Sequence, residues 1–482
     1  MEASQFEALK ENLWDFMKTE TLGRHTDAFL LFWEQVWQQG TKFVILTFND
    51  RLGLFRAVKR RISERIYPNE LRHIKEVKEI RSKGPSHWKQ PQIIFELREK
   101  AKARGLWNLF LPVDSAQLAG RKGGGLTNLQ YADCCEIMGT SNHAEFAAEA
   151  CNCASPDTGN MEVLARFGTE EQKKLWLEPL LDAKIRSCYA MTEPAVASSD
   201  ATNIRTMITR DGDHWVINGR KHWITGAGNV DCKIMILMGR TGPKDAATYR
   251  SQSQILVPMD TPGITLVRPM ETFGDDDCPK GHMEILFEDV RVPLSNMIWG
   301  EGRGFEIAQL RLGPGRIHHC MRMIGQAERA LSHMCRRASS RKAFGQQLSE
   351  MGSVVQQIAE CRAEIDQARL LVREAADRMD RLGNTDHYTR KLLSLVKAVV
   401  PSMTQRVVDR AMQLHGGLGG SQDSFLPAAF VGCRNLRWAD GPDEVHWRTA
   451  GRLELSFQRK ESPLYQIELY QHDKTVPFRA KL

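Results

Sequence analysis

No window of some eighteen apolar residues free of charge occurs in this 482-residue chain. Residues 29–33 and 43–48 are the nearest approach, and Glu34, Gln38, Gln39 and Lys42 separate them, so a membrane-spanning helix is not expected. Metal-binding cysteine patterns are missing too. The eleven cysteines are scattered; Cys134-Cys135 are adjacent and Cys151-Asn152-Cys153 has a one-residue spacing, neither of which fits a zinc or thioredoxin-type site. No metal is expected, and the cysteines read as the reduced thiols of an intracellular protein. Neither sign of charge dominates: 66 Lys and Arg stand against 59 Asp and Glu, a net charge of +7, and basic patches such as Lys59-Arg60-Arg61 are short. A nucleic-acid partner is therefore not implied. The opening MEASQFEALKENL is acidic early and has no apolar core beside basic residues, so it reads as neither a secretory signal nor an Arg-rich transit peptide.

With 42% hydrophobic residues the chain can bury a large core, enough for two or three domains. The pattern along it changes character twice. Residues 1–60 read as an N-terminal extension in which Leu30-Leu31-Phe32-Trp33 and Val36-Trp37 fall at helical spacing, expected as an amphipathic helix that packs on the body, with a membrane-surface helix as the alternative. Residues 61–186 read as a helical domain: in QIIFELREKAKARGLWNLFLP one face carries Ile94, Leu97, Ala101 and Leu106, closed by Gly105 and Pro112. Gly120-Arg121-Lys122-Gly123-Gly124-Gly125 lacks a Gly-Lys-Ser/Thr ending and is expected to be a flexible loop rather than a phosphate cradle. From 187 to 299 short strands take over (KIMILMG, SQILVPM, ITLVRPM, HMEILFEDVRVP), a β-domain between helical ones. Over 300–460 the text is helical again, and Val354, Ile358, Cys361, Ile365, Ala368, Val372 and Ala375 alternate steps of four and three, the seam of a bundle. Gly383-Asn384 should break it, and Pro401 should kink or restart the helix over 388–414. Residues 461–482 read as a tail. The fold class expected is α+β: N-terminal helical domain, middle β-domain and C-terminal four-helix bundle.

One stretch organises the rest. YAMTEPAVASSDATNIRT, from Tyr189, puts Thr192, Ser198 and Ser199 around Pro194 with no apolar periodicity, a loop whose hydroxyls and amides are free to bind. Asp211-Gly212-Asp213 and Asn218-Gly219 are turn signals flanking the strand His214-Trp215-Val216-Ile217, so Lys221–Thr225 is expected to return beside it as the second arm of a hairpin. That brings Trp223-Ile224-Thr225 toward the loop: a cradle for a flat ring and a pyrophosphate.

MTEP followed by small residues, then GRKHWITGAGN, then RKAFGQQL, QLHGGLGG and DGPDEVH in that order, resembles the acyl-CoA dehydrogenase flavoprotein family, closest to its member 10 and 11 subgroup. The resemblance spans residues 66–455. It implies FAD as cofactor, with Tyr189, Met191, Thr192 and Ser198 as flavin neighbours and Trp223, Ile224 and Thr225 against the isoalloxazine ring. It also implies that Arg341, Gln413, Gly416 and Gly417 clamp the dinucleotide half from a neighbouring subunit, hence a homodimer or homotetramer. Read alone, GGLGG is a helix C-cap and Arg341 a solvated charge. Pro442, Asp443 and Glu444 would lie beside FAD, and Ser198, Arg316 and Gly441 on the substrate side.

Where the family has Glu-Gly as its catalytic base, this chain has Asp440-Gly441. The departure is one methylene and is shared with the subgroup, so Asp440 is the expected base, with Asp443 and Glu444 as rivals. Relatives that draw the base from another helix do so just before an Arg; here that position is Gly315, ahead of Arg316, and glycine cannot serve. The implied reaction is α,β-dehydrogenation of an acyl-CoA in fatty-acid β-oxidation, with electron-transferring flavoprotein or oxygen as electron acceptor. The rival readings are an acyl-CoA oxidase, or a non-catalytic flavoprotein or assembly factor of the same fold. The short segment ahead of the resemblance is not expected to contain the kinase-like domain that some subgroup members carry upstream. The terminal Ala480-Lys481-Leu482 is similar to the Ser-Lys-Leu peroxisomal signal; a peroxisomal address is expected for a eukaryotic source, with mitochondrial or cytoplasmic ones as the alternatives.

Overall fold

The computed structural model describes residues 56–121, 123–242 and 249–466. The N-terminal extension helix, Lys122 of the glycine-rich loop and the terminal tripeptide lie outside the described residues. The elements below belong to the unit Val58–Leu482.

Helices α1 (Glu70–Arg81), α2 (Gln92–Lys102), α3 (Asn128–Gly139), α4 (Phe146–Ala150) and α5 (Asp157–Phe167) build the first layer. The expected face of α2 is the buried one: Ile94, Leu97 and Ala101 are wholly inside, as is Leu106 just beyond it. The start of α3 is set locally, since the Thr127 side chain accepts from the Gln130 N–H while the Gln130 side chain returns to the Thr127 N–H. Two glycines of the run are closely packed, a Cβ at Gly123 meeting the Leu111 carbonyl oxygen at 2.5 Å and one at Gly124 lying 3.1 Å from Leu109, whereas Gly120 and Gly125 have open space.

The middle layer is a seven-stranded sheet of β1 (Arg186–Ala190), β2 (Met207–Asp211), β3 (His214–Thr225), β4 (Cys232–Arg240), β5 (Gln252–Pro258), β6 (Ile264–Met270) and β7 (His282–Pro293). The order is β1-β4-β2-β3-β7-β6, with β5 paired to β4. Trp215, Ile217, Ile224, Met235, Leu237, Ile255, Ile285 and Phe287 are among the side chains that form its core.

Here one sequence expectation fails. Asn218-Gly219 is not a hairpin turn: β3 runs unbroken from His214 to Thr225, and the hairpin is closed by Asp211-Gly212-Asp213 against β2. Gly219 instead marks a shift of register against β7. A Cβ there would lie 2.5 Å from Thr206 Oγ1, so this glycine answers to a close approach rather than to a turn.

The last layer is helical: α6 (Gly304–Ser340), α7 (Gly352–Leu382), α8 (His387–His415), α9 (Leu426–Asn435) and α10 (Asp443–Glu461). Helices α6, α7 and α8 pack on one another, α10 packs on α8, and α3 joins them from the first layer. The predicted seam of α7 is buried at Val354, Cys361, Ile365, Ala368, Val372 and Ala375. Gly383, at φ 78°, ends α7 as expected. The helix does not restart at Pro401: α8 runs through it with the proline buried, and the packing of α8 as a whole against α6, α7 and α10 offsets the lost N–H. All eleven cysteines are unpaired, ten of them buried. Among the described residues no helix is long and apolar enough to cross a membrane and no side-chain cluster could hold a metal.

Candidate active site

A cavity of about 1170 Å³ lies where the three layers meet, larger than most single-ligand pockets. Its wall takes Tyr189 from β1, Met191, Thr192 and Ser198 from the loop that follows, and His222, Trp223 and Thr225 from the end of β3. Helix α6 adds Arg311, Gly315, Arg316, His319 and Arg322, and the turn between α9 and α10 adds Asp440, Gly441 and Pro442.

A bulge aims the β3 residues. The register of β3 on β7 shifts between Lys221 and Ile224, and Trp223 sits at φ 58°. An extra residue at such a bulge re-aims the side chains around it. Trp223 and Thr225 therefore line the cavity, while Ile224 turns into the sheet core at 1% exposure. Thr225 Oγ1 lies 2.9 Å from His282 Nδ1, and the Trp223 and His282 rings are 5.9 Å apart.

The loop after β1 is carried from beneath by a group the sequence reading passed over. Lys221, fully buried, donates from Nζ to the Met191 carbonyl (2.9 Å), the Met238 carbonyl (2.7 Å) and Glu193 Oε1 (2.8 Å). Glu193 also accepts the N–H groups of Arg205 and Thr206 at 2.8 and 2.9 Å. Burial pushes the Lys221 amine down to about 8, although Glu193 opposes the shift. The Glu193 N–H donates to Ser198 Oγ, and the His222 N–H to the Thr192 carbonyl. One ion pair and its neighbours thus hold Thr192 and Ser198 on the same cavity wall as Trp223. The signal was the Lys inside GRKHWIT, two residues before the Trp.

Asp440 adopts φ 55°, a left-handed conformation that Asp tolerates better than most residues. Gly441 follows at φ 101°, with space for no Cβ: one would lie 2.8 Å from His446 Nε2. The turn is pinned by its carbonyls, since His446 Nε2 lies 3.1 Å from the Asp440 oxygen and buried Lys397 donates to the oxygens of Leu436 and Gly441. The Asp440 side chain is 25% exposed and faces the cavity. Burial raises its pKa, but His319, Arg311, Arg316 and Lys397 together hold it below the ordinary carboxylate value. It is ionised at neutral pH. His319 Nε2 lies 3.6 Å from its Oδ2, and Arg311 spreads over the Tyr189 ring at 4.0 Å.

Beneath the wall is a buried ionic network. Glu145 meets Lys280, and Arg322 at 3.7 Å; Glu149 meets Lys280, Arg98 and Arg186; and Arg186 meets Asp157 at 2.8 Å. Burial raises the Glu145 pKa, but Lys280 and Arg322 pull it well below the carboxylate range.

The sequence-expected residues thus divide. Tyr189, Met191, Thr192, Ser198, Trp223, Thr225, Arg316, Asp440, Gly441 and Pro442 share the cavity wall. Ile224, Arg341, Gln413, Gly416, Gly417, Asp443 and Glu444 do not. Arg341, Gln413, Gly416 and Gly417 are exposed, and Gly416 closes α8 at φ 64°. Asp443 starts α10 and is bound to Arg437 Nε at 2.7 Å, while Glu444 points to the surface; neither rivals Asp440 in position. Gly315 has open space where a side chain would stand. Beyond Lys221 and Glu193, sequence reading missed Arg311, His319, Lys397 and His446.

A Trp face, three hydroxyls and the buried, unpartnered Nδ1 of His222 suit a flat heteroaromatic ring with polar edges, and the volume leaves room for a second ligand beside it. Two family models match the chain: acyl-CoA dehydrogenase, middle domain, over residues 188–290, and acyl-CoA dehydrogenase, C-terminal domain, over 302–454. FadE2 of Mycobacterium tuberculosis is 54% identical over 379 residues, 79% of this chain and 89% of that one. Acyl-CoA dehydrogenase family member 11 of Gallus gallus is 52% identical over 422 residues, covering 86% of this chain; the chain spans about half that relative's length, 52%. A solved structure from Mycobacterium abscessus superposes with a TM-score of 0.79 at 47% identity, covering 84% of this chain and 98% of its own. With the site geometry and these matches in agreement, the chain belongs to the acyl-CoA dehydrogenase family.

Proposed function

We propose that the protein is an FAD-dependent acyl-CoA dehydrogenase that introduces an α,β double bond into an acyl-CoA thioester during fatty-acid β-oxidation. One observation carries the reading: an ionised Asp440 faces the same cavity as Trp223 and Thr225. FAD, when bound, supplies the hydride acceptor. Trp223 would cover a face of the ring, and the hydroxyls of Thr192, Ser198 and Thr225 would offer hydrogen bonds to its polar edge. Asp440 takes the α-proton, which calls for its carboxylate within hydrogen-bond reach of that carbon. The Asp440 N–H donates to the thioester oxygen, where charge develops as the proton leaves. Arg316, half-buried with its Nε buried and unpartnered, stands on the substrate side and favours the ionised Asp440.

The exposed Arg341, Gln413, Gly416 and Gly417, all outside the cavity of their own chain, suit a clamp on the dinucleotide of a second copy. The reading therefore includes a homo-oligomer, and an electron-transferring flavoprotein that reoxidises it. A polypeptide ending in Ala480-Lys481-Leu482 would take a peroxisomal address.

Mixing the FAD-loaded protein with acyl-CoA under anaerobic conditions tests the base. Asp440→Asn is expected to keep FAD and lose reduction of its visible band, because an amide of the same size cannot accept the proton. Asp440→Glu should retain measurable activity. Normal turnover by Asp440→Asn would refute the assignment.

A further inference from the structure

His319 stands on α6 beside the Asp440 carboxylate, and two contacts define its ring. Nη2 of Arg322 lies 3.2 Å from Nδ1, and Nε2 lies 3.6 Å from Asp440 Oδ2. A guanidinium carries five donors and no acceptor, so at this contact Nδ1 must receive. The proton of the neutral imidazole then sits on Nε2, the nitrogen that faces the carboxylate. Arg322 is itself fixed, 3% exposed, with a nitrogen 3.7 Å from Glu145 Oε1. The charged and titratable groups facing the ring are Arg322 and His318 on its own helix, Asp440 from the turn, Glu145 from the segment before α4 and Lys397 from α8. Burial, helped by Arg322, pushes His319 down to about 4 against the pull of Asp440 and Glu145, so the ring is neutral at neutral pH. Among the described residues no other basic nitrogen forms an ion pair with the Asp440 carboxylate.

We propose that His319 is a positioning residue for Asp440: its Nε2–H donates to Oδ2 and leaves Oδ1 as the oxygen that meets the substrate's α-proton. The inference rests on Asp440 being the base. An Asp has one methylene less than a Glu with which to reach the substrate, so the direction of its carboxylate matters more. The 3.6 Å separation closes with a small rotation of the carboxylate once a thioester excludes water, as contacts in unliganded sites commonly do. In the step itself the α-carbon–hydrogen bond breaks, its electron pair stays on the thioester as enolate, and the proton passes to Oδ1. His319 neither gains nor loses a proton.

The test uses the FAD-loaded full chain in two variants. His319→Leu removes the donor at similar volume; His319→Gln keeps an N–H within reach of the Nε2 position. In the leucine variant the acidic limb of the kcat/KM profile for flavin reduction should move up by about one pH unit. Its kcat should fall about tenfold, with KM within about twofold, as for a lost alignment. The glutamine variant should return both to within about twofold of wild type. A readout free of turnover is ¹⁵N NMR of the imidazoles, with His319 assigned by its absence from the glutamine variant: Nε2 protonated and Nδ1 bare. A protonated Nδ1 in wild type overturns the proposal. So does an unmoved acidic limb in a leucine variant with normal melting and FAD content; if that variant does not fold, the glutamine variant and the wild-type spectrum decide. Failure of the base itself is distinguishable, because it would show as turnover by Asp440→Asn.

Discussion

Replacing Lys221 by Met should damage this protein far more than its place in a strand suggests. The Nζ is fully buried and donates to two carbonyls and a carboxylate at 2.7–2.9 Å. Removing one partner of a buried ion pair costs about 3–5 kcal/mol, because the other charge is left uncompensated. Glu193 keeps the N–H groups of Arg205 and Thr206, which places the expected loss toward the lower end, about 3 kcal/mol. At roughly 2–4 °C per kcal/mol for a domain of moderate size, the first thermal transition should fall by about 10 °C. The loop of Thr192 and Ser198 hangs from the same pair, so FAD retention should fall with it. Adding Glu193→Gln removes the stranded charge and should recover about 1 kcal/mol or more, a coupling between contacting residues that distant sites do not show. Differential scanning fluorimetry with flavin fluorescence as a second channel reads both effects. A Lys221→Met protein that melts within about 2 °C of wild type and holds its flavin would refute the reasoning.

Arg341→Ala should weaken FAD retention through loss of a charge-assisted contact to a pyrophosphate, and flavin loss should follow dilution; a monomer that holds FAD stoichiometrically in light scattering would contradict this. Acidification should destabilise the fold through His319 and His446, each held down to about 4 chiefly by burial. Unfolded histidine titrates near 6.5, so these two contribute stability that is full above that pH and is lost as pH falls toward 4, roughly 3 kcal/mol each at most. Melting temperatures recorded between pH 7 and 4 should fall more shallowly in a His319→Gln/His446→Gln double variant; parallel curves would argue against it. For the proposed address, a fluorescent protein fused ahead of residue 1 should appear in puncta with a peroxisomal marker and disperse on deletion of Leu482, whereas mitochondrial labelling would exclude the assignment.

Much of the architecture could be read directly because it is written in local periodicity. The α2 face of Ile94, Leu97 and Ala101, the α7 seam and the end of α7 at Gly383 all stand where spacing puts them. The strand β7 covers His282–Pro293, the same span as the HMEILFEDVRVP segment. The motifs around Thr192, Trp223 and Asp440, legible because their residue types are chemically distinctive, lie together on the wall of one cavity. Tertiary structure alone decided the rest. Asn218-Gly219 has the composition of a turn, yet the approach of Thr206 makes it a shift of register inside a strand. Pro401 has the chemistry of a restart, yet α8, packed against α6, α7 and α10, runs through it. Ile224 lies between two wall residues but faces the core, because the bulge at Trp223 reverses the alternation that sequence proximity assumes. Lys221, Lys397 and His319 look like ordinary surface or helix residues in the sequence. Each acquires its role from a partner 28, 44 or 121 positions away, Glu193, Gly441 and Asp440 respectively, and no local pattern encodes a contact of that range.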